Sequence, residues 1–555
     1  MTSTLRTSTA FPGLPQAARS GLSPARRPRS PRPRGAAVTA ALLPLLLLAA
    51  CATPSSAPTV PRYDLVVLGG RVIDPETGLD RITNLGVQDG RIAAITDAPL
   101  EGQRRIDAKG LVVAPGFIDL HSHAQVTPSM YMQAFDGVTT ALELELGNLP
   151  IAASYEVAAR EGRPIHYGFS VSWALARMKV LDGETPDGRT DSYVRHFARP
   201  GWRSLTTRER SAAVLAEVEQ GLREGGLGIG LMLGYGPDSN REEYLGAARL
   251  AARYDVPTFT HIRATNNIEP RGSYEGFAEV IAAAAGTGAH MHLCHINSSS
   301  WRQIGLTTEF IAQAQSRGLH ITTEAYPYGA SSTQIGAAAA SPDNLPLRDM
   351  PATNIYMVDT GRWIGSSAEL AQVRRERPNA TAVFHALNEA KPEELALLDQ
   401  ALLFHDTALA SDAIPYTLQG KPIEGRVWPL PEGANAHPRI AGTHAKVFAH
   451  WVRERHLLSL QEAIRRSTLL PAQIMETAAP AMKHKGRLQV GADADIVAFD
   501  ADRFSDRASY EHPALPSEGM QYVLVGGVPL IHEGQLDTTV MPGAPVRGPM
   551  RTTPP

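Results

Sequence analysis

Stretches in which apolar and polar residues alternate occupy both ends of the chain. Residues 63–113 alternate in this way and contain Gly69-Gly70 and Asp89-Gly90, pairs that are typical of hairpin turns. A similar pattern returns at 486–540, in the runs GADADIVAFD and QYVLVGGVPLIHEGQ. We therefore expect a small β-sandwich built from both ends of the chain, from 62–112 and from 486–540, followed by a tail at 541–555.

Between these segments, short apolar runs alternate with helical patterns, which favours parallel strands joined by crossover helices. Eight such units over residues 113–485 predict an α/β fold, a (β/α)8 TIM-like barrel. The candidate strands are 113–120, 139–146, 165–172, 228–235, 256–261, 290–295, 320–326 and 408–412.

One connection in this region, residues 329–405, is too long to be a single loop. We expect it to form a partly helical insertion over the mouth of the barrel, where it could act as a lid.

Residue types that bind metal ions stand at the C-terminal ends of the candidate strands. His121 and His123 end the first strand, and they project from one side of it because strand side chains alternate between faces. Imidazole is a common ligand of divalent ions, and barrel active sites lie at this end of the strands. The sequence therefore predicts a metal site with these candidate ligands: His121, His123, Glu143, Glu145, His261, His295 and Asp412.

Two positions in this set leave alternatives open. Glu143 and Glu145 share one face of the second strand, where unpaired carboxylates would be costly without a bound cation. We prefer Glu145 because it lies nearer the strand end, and Glu143 is the alternative. On the sixth strand we prefer His295, which stands at the strand end, and His292 is the alternative.

The first fifty residues predict an export signal (1–50) and no part of the fold. Arginines among Ser, Pro and Gly precede an apolar run at 36–50 that is too short for a comfortable membrane span. The ending Leu48-Ala49-Ala50-Cys51 resembles a bacterial lipobox, which implies cleavage before Cys51 and lipidation of its thiol. We expect a periplasmic protein anchored to the membrane by this lipid, with residues 51–61 as a tether.

Charge and cysteine content give no support to two further classes, nucleic-acid-binding proteins and disulfide-stabilised proteins. The net charge of −3 gives no indication of a nucleic-acid partner. Cys294 is the only cysteine besides Cys51, so we expect no disulfide framework within the fold.

Several segments between about residue 63 and about residue 534 carry a family resemblance: APGFIDLHSH, DGVTT, GIGLMLGY, THIR, CHINSSS, EAYPYGAS, SDAIP, HPRIAGTHAKVFAHWVRE and GADADIVAFD. With these motifs the chain resembles the amidohydrolase superfamily and, within it, the D-aminoacylases, which are N-acyl-D-amino-acid deacylases. The resemblance implies a barrel with a flanking β-sandwich. It also implies hydrolysis of a C–N bond by a metal-bound hydroxide, with one or two divalent ions, zinc being our expectation.

Position by position, the resemblance assigns roles to residues of this chain. Asp412 matches an aspartate that binds metal and shuttles a proton to the leaving nitrogen. Arg439 matches an arginine that holds the substrate carboxylate, and Tyr326 matches a tyrosine near the scissile group. The remaining implied metal ligands are His121, His123, His261 and His295.

The chain departs from the D-aminoacylase pattern at two places. The family carries a cysteine ligand at the end of strand two, whereas this chain has ALELELG there, so that Glu145 or Glu143 becomes the candidate. Asn297 stands where the deacylases have a lysine near the substrate carboxylate. Loss of that cation favours a neutral substrate, a peptide or a cyclic amide over an acidic one.

The leading interpretation is a metal-dependent hydrolase of a linear amide in a small N-acyl (D-)amino acid-like substrate. One alternative is a cyclic-amide or dipeptide hydrolase of the same superfamily. Another is a non-catalytic barrel lipoprotein, against which the presence of a candidate residue at every ligand position argues.

Overall fold

The structure is a computed structural model that describes residues 62–555, so the predicted signal, the tether and Cys51 lie outside the described residues. Eight parallel strands pair in chain order. A bridge between Ser122 and Ala413 brings the first and last strands together. The predicted barrel is therefore confirmed. Its strands are Phe117–Asp119, Val138–Asn148, His166–Ser172, Ile229–Met232, Thr258–His261, Met291–Leu293, Ile321–Ala325 and Thr407–Leu409.

Helices cover the outside of this barrel, and Arg208–Arg223 shows why they form. The Thr207 side chain accepts a hydrogen bond from the backbone of Arg210, and Val214, Val218 and Leu222 recur at helical spacing on the buried face. The other α-helices are Thr127–Phe135, Ile151–Glu161, Trp173–Arg177, Ser192–His196, Arg241–Tyr254, Ser273–Thr287, Ile296–Ser300, Ile304–Ser316, Ser367–Glu376, Pro392–Leu403, Arg439–Lys446, Leu460–Ser467 and Leu469–Met475.

The small β domain is built from both ends of the described chain, as predicted. Its strands pair in one nine-stranded sheet with a hydrophobic core of its own. Val112–Pro115 pairs antiparallel with Ile496–Phe499, and this pairing joins the two ends of the chain. The other strands are Arg62–Asp74, Leu79–Gln88, Arg91–Thr96, Glu101–Asp107, Met520–Val525, Val528–His532 and Gln535–Leu536.

Two sequence predictions about this region need correction. Asp89-Gly90 does form a hairpin turn, but Gly69-Gly70 lies inside the strand Arg62–Asp74, at an irregularity in its pairing. The predicted barrel strand 113–120 is two strands, because the chain leaves the small sheet at Pro115 and enters the barrel at Phe117. Gly116 separates the two strands, and a Cβ at this position would overlap the side chain of Thr139.

The insertion contains the α-helix Ser367–Glu376 and also β-structure that the sequence did not indicate. Ala330–Gln334, Ile355–Met357, Arg362–Trp363 and Thr381–His385 form a four-stranded antiparallel sheet with its own apolar cluster. Pro392–Leu403, which we expected to be part of the insertion, packs against the barrel helix Ile304–Ser316 and belongs to the outer ring.

The segment predicted as a tail is packed against the barrel. Val546 is buried, its N–H donates to the carbonyl of Tyr167, and its carbonyl accepts from the hydroxyl of Tyr155. Residues 543–551 thus cover the N-terminal side of the early barrel strands. Across residues 62–555, every helix is too short or too polar to cross a bilayer.

A buried ion cluster joins the small β domain to the barrel. Asp495 contacts Nε2 of His166 at 2.9 Å and Nζ of Lys485 at 2.6 Å. Burial disfavours the charged carboxylate, but these two groups lower the pKa of Asp495 below its ordinary value.

We expect Asp495→Asn to destabilise the protein by about 3 kcal/mol at pH 7, since it leaves a buried lysine without its closest partner. Because the folded-state pKa of Asp495 lies below the unfolded value of about 3.9, this contribution is complete above that value and is lost as the pH falls below it. Urea denaturation at pH 7 and at pH 3.5 measures the difference.

Asp493→Asn is the matched control for this prediction. Asp493 also contacts Lys485, at 3.1 Å, but its side chain is 21% exposed, so we expect a loss below about 1 kcal/mol. Equal urea midpoints for the Asp495→Asn variant and the wild type at pH 7 would contradict the structural role of the cluster.

Candidate metal centre

A cavity of about 1140 Å³ opens above the C-terminal ends of the barrel strands. Five of the predicted site residues line it: His123, Glu145, His261, His295 and Asp412. The cavity is therefore where barrel geometry places chemistry, and the insertion forms part of its wall through residues such as Thr333.

Four donor atoms gather at one point of the cavity floor. His121 Nε2 lies 3.1 Å from His123 Nε2, 3.3 Å from Glu145 Oε2 and 3.5 Å from Asp412 Oδ1. His123 Nε2 lies 3.7 Å from Glu145 Oε2 and 3.5 Å from Asp412 Oδ1. Ligand atoms about 2.0–2.1 Å from a tetrahedral ion are about 3.3 Å apart, so these atoms have the spacing of one coordination shell.

Three further donor atoms gather on the other side of Glu145. Oε1 of Glu145 lies 2.8 Å from His295 Nε2 and 3.1 Å from His261 Nδ1, and the two imidazole nitrogens are 3.1 Å apart. Each carboxylate oxygen of Glu145 thus faces a different group of imidazoles. The arrangement can accept two cations that share this carboxylate.

The structure separates the two glutamates of the second strand. Glu145 lies between the two groups of donors, whereas both oxygens of Glu143 lie 2.9 Å from Nδ1 of His123. Glu143 therefore contacts the back of an imidazole whose Nε2 faces the site. This placement favours Glu145 as the ligand and gives Glu143 the contact that orients His123.

Two of the site residues have unusual backbone conformations. His295 has φ 35° and Asp412 has φ 50°, both in the left-handed region that residues other than glycine seldom occupy. Both residues lie shortly beyond the ends of their barrel strands, at Leu293 and Leu409, where their side chains turn toward the common centre. Such conformations persist where surrounding contacts fix them, and they concentrate at functional sites.

Charges within the site are arranged to stabilise positive charge. Burial disfavours ionisation, but His121 and His295 lower the pKa of Glu145 well below its ordinary value. Burial also disfavours the charged imidazoles and lowers their pKa values. The nearby carboxylates outweigh it, so that Glu145 raises the pKa of His121 well above its ordinary value and Glu143 raises the pKa of His123 to about 9. A metal ion that displaces these imidazole protons would gain the same electrostatic stabilisation.

Asp119 holds the first and last barrel strands together beneath the site. Its Oδ1 accepts hydrogen bonds from the backbone N–H groups of His121 and Ser411, each at 3.0 Å. These bonds fix the first ligand and the residue next to Asp412 in one frame.

Sequence reasoning missed a buried contact behind His121. Oε1 of Glu324 lies 2.5 Å from Nδ1 of His121, and Oε2 lies 3.1 Å from Nε2 of His292. His292, the alternative to His295, is therefore one layer below the centre. The signal that could have identified Glu324 is the one that identified Glu143 and Glu145, a carboxylate within an apolar candidate strand.

Cys294 is close enough to His121 and Glu324 to complete a third group of potential ligands. Burial raises the pKa of the Cys294 thiol well above its ordinary value, which keeps the thiol protonated in the metal-free site.

Both predicted substrate-binding residues lie beside Asp412. The fully buried Arg439 places Nη1 2.9 Å from Oδ2 of Asp412, and its guanidinium carbon lies 4.7 Å from the ring centre of Tyr326. The three guanidinium nitrogens of Arg439 and the hydroxyl of Tyr326 have no well-aligned hydrogen-bond partner within residues 62–555. Asn297, which replaces the lysine of the related pattern, contacts the backbone of Tyr326 and Tyr328 instead.

The fold and the site define a class of barrel protein with a histidine and carboxylate metal centre at the strand ends. The chain belongs to the amidohydrolase family, whose model matches residues 104–325 and 307–531.

Three similar proteins place it within this family. The chain is 29% identical over 500 residues to an N-acyl-D-glutamate deacylase of Alcaligenes xylosoxydans xylosoxydans, covering 84% of this chain and 93% of that protein. It is 25% identical over 503 residues to a D-aminoacylase of the same organism, covering 85% and 95%. The crystal structure of an N-acyl-D-glutamate deacylase from Bordetella bronchiseptica, complexed with zinc and a phosphonate inhibitor, matches with a TM-score of 0.69 and 25% identity, covering 88% of this chain and 100% of that one. The resemblance to the D-aminoacylase branch is confirmed.

We expect Glu324→Gln to weaken Zn²⁺ binding about 10- to 100-fold, because an amide supports the imidazole of His121 less well than a carboxylate does. Titration of the metal-free protein with Zn²⁺ against a competing chelator measures this affinity. Glu309→Gln, at an exposed position of the outer helix Ile304–Ser316, is the control and should bind Zn²⁺ as the wild type does. Unchanged affinity in the Glu324→Gln variant would show that this contact does not support the centre.

Proposed function

We propose that this protein is a zinc-dependent amidohydrolase that cleaves the linear amide bond of a small N-acyl D-amino acid. The observation that carries the proposal is the position of Glu145, whose two oxygens face two separate groups of imidazoles. The substrate class is supported by similar proteins, which are an N-acyl-D-glutamate deacylase, a D-aminoacylase and an N-acyl-D-aspartate deacylase.

The donor set fits zinc, which binds imidazole nitrogen and carboxylate oxygen in shells of about four ligands. One ion would be held by His121, His123, Asp412 and Oε2 of Glu145. A second would be held by His261, His295 and Oε1 of Glu145. When bound, zinc supplies Lewis acidity and lowers the pKa of water to about 7.

The side chains around the centre divide the remaining tasks. Oδ1 of Asp412 faces the donor cluster, where it can accept a proton from the attacking water and pass it to the leaving nitrogen. Arg439, beside the other oxygen of Asp412, is placed to bind the α-carboxylate, which is two bonds from that nitrogen. The unsatisfied guanidinium nitrogens of Arg439 and hydroxyl of Tyr326 support this role.

We expect chelation to abolish hydrolysis of N-acetyl-D-amino acids, and added Zn²⁺ to restore it. Asp412→Asn should lower kcat about 10³-fold, which is the rate loss expected when a general acid and base is removed. Most of the zinc should stay bound to the other ligands. Steady-state kinetics and metal content by elemental analysis test both points on a panel that also contains hydantoins and dipeptides.

Asp406→Asn is the control for this experiment, because Asp406 lies on the surface close in sequence and contacts only Arg465 among the residues described. Hydrolysis that survives complete removal of metal would contradict the proposal. Hydrolysis restricted to hydantoins or dipeptides would replace the proposed substrate with the cyclic-amide or dipeptide alternative.

We further propose that the protein is exported and held at the periplasmic face of a membrane by a lipid on Cys51. Support comes from the sequence alone, from the apolar run at 36–50 and the Leu-Ala-Ala-Cys ending. In a bacterial host, Cys51→Ser should abolish labelling by radioactive palmitate and release the protein from the membrane fraction. Cys294→Ser is the matched control, and labelling that persists in the Cys51→Ser variant would exclude this anchor.

A further inference from the structure

One arginine of the cavity wall has no partner. Arg348, at the end of a short turn in the insertion, lines the same cavity as the metal centre. Its Nε is buried without a hydrogen-bond partner, and no carboxylate within residues 62–555 forms an ion pair with its guanidinium group.

The other arginines of the cavity wall that are not fully exposed differ in this respect. Arg163 lies 2.8 Å from Glu161, and Arg377 lies 2.6 Å from Asp359. Arg189, whose side chain is 42% exposed, has carboxylates at 3.4 and 3.5 Å. Arg426 also lines the cavity without an ion pair among the described residues, but it is exposed, so Arg348 is the partly buried arginine of this wall that lacks a carboxylate partner within residues 62–555.

The backbone around Arg348 is held in place and turns the nearest acid away. The N–H of Asn267 donates to the carbonyl of Leu347 at 2.9 Å, and its side-chain amide donates to the carbonyl of Arg348 at 2.8 Å. Asp349 has a left-handed backbone with φ 53°, and its carboxylate lies 3.3 Å from Arg302. The one acidic neighbour in sequence is thus engaged by a different cation.

Arg348 is partly buried, and a cation withdrawn from water without a partner is stabilised by a compensating charge. Burial lowers the pKa of Arg348 to about 10, so the group is still charged at neutral pH. A guanidinium group presents parallel N–H donors that match a carboxylate in geometry and charge.

Arg348 forms no ion pair or hydrogen bond with a residue of the metal centre within residues 62–555. Tyr235 is close enough to act on its charge, and the ring centre of Tyr235 lies 5.0 Å from that of His261 while its hydroxyl lies 2.6 Å from Oγ1 of Thr333. Arg439, in contrast, directly contacts Asp412. The two arginines are therefore placed for two different anionic groups.

We propose that Arg348 binds a carboxylate that the substrate carries away from the scissile amide, so that the preferred substrates have a second carboxylate besides the α-carboxylate. This inference rests on the proposed function. The second carboxylate belongs either to the amino acid side chain, as in an N-acyl-D-glutamate, or to the acyl group, as in an N-succinyl amino acid.

The test compares the zinc-loaded wild type with Arg348→Met on N-acetyl-D-leucine, N-acetyl-D-glutamate and N-succinyl-D-leucine. We expect the wild type to prefer one of the two dicarboxylic substrates. For that substrate, Arg348→Met should lower kcat/KM about 100-fold, mainly through KM, as the loss of one partner of a buried charge pair does. The kcat/KM for N-acetyl-D-leucine, which has no second carboxylate, should change by less than about threefold. Changes of this size are usual for substitutions away from the reacting atoms.

Two further variants separate binding from folding. Arg377→Met removes an arginine of the same wall that already has a carboxylate partner, and it should leave the preference of the wild type intact. Arg348→Lys keeps the charge without the parallel donors, and it should recover about tenfold of the lost kcat/KM.

The outcomes distinguish this inference from the function on which it rests. An equal loss on all three substrates, no loss on any, or a wild type that prefers N-acetyl-D-leucine would overturn the role of Arg348 and leave the deacylase function standing. If the zinc-loaded wild type hydrolyses none of the three, the proposed function fails and the inference fails with it.

Discussion

The rest of the site depends on one buried carboxylate. Glu145 is almost fully enclosed, yet each of its oxygens faces imidazole nitrogens from different strands. A carboxylate in such a place is stable only when positive charge surrounds it, whether from imidazole protons or from metal ions. Because the imidazoles contribute this charge only when they converge, Glu145 and the histidines define one site and cannot be understood singly.

The barrel provides that convergence through its parallel strands. Each strand ends at the same rim, so residues far apart in sequence meet there without long loops to position them. A layer of polar contacts beneath the rim fixes the ligands. Asp119 holds the backbone of the first and last strands, and Glu324 with His292 holds the far side of His121. Left-handed backbone at His295 and Asp412 is the conformational cost of turning these side chains inward.

In the proposed function, Arg439 and Arg348 divide substrate recognition between the barrel and the insertion. Arg439 belongs to a helix that follows the last barrel strand and contacts Asp412, whereas Arg348 belongs to the insertion and lines the cavity. The metal centre itself is built from barrel elements. The insertion adds a wall to the cavity outside the barrel strands, in the kind of segment by which barrel enzymes diversify their substrates.

Local pattern determined much of this protein from the sequence alone. Period-two alternation and short apolar runs identified the eight barrel strands and the terminal β domain, and the spacing of His121 and His123 placed them on one face. The sequence could not decide what depends on pairing between distant segments. It left Glu143 and Glu145 open, missed Glu324, joined two strands across Gly116 and did not indicate the β-sheet of the insertion. In each case the deciding contact comes from another strand or sheet, such as the imidazoles on either side of Glu145 or Thr139 beside Gly116. Only the tertiary structure brings such partners together, because a strand's own residues specify its faces but not its neighbours.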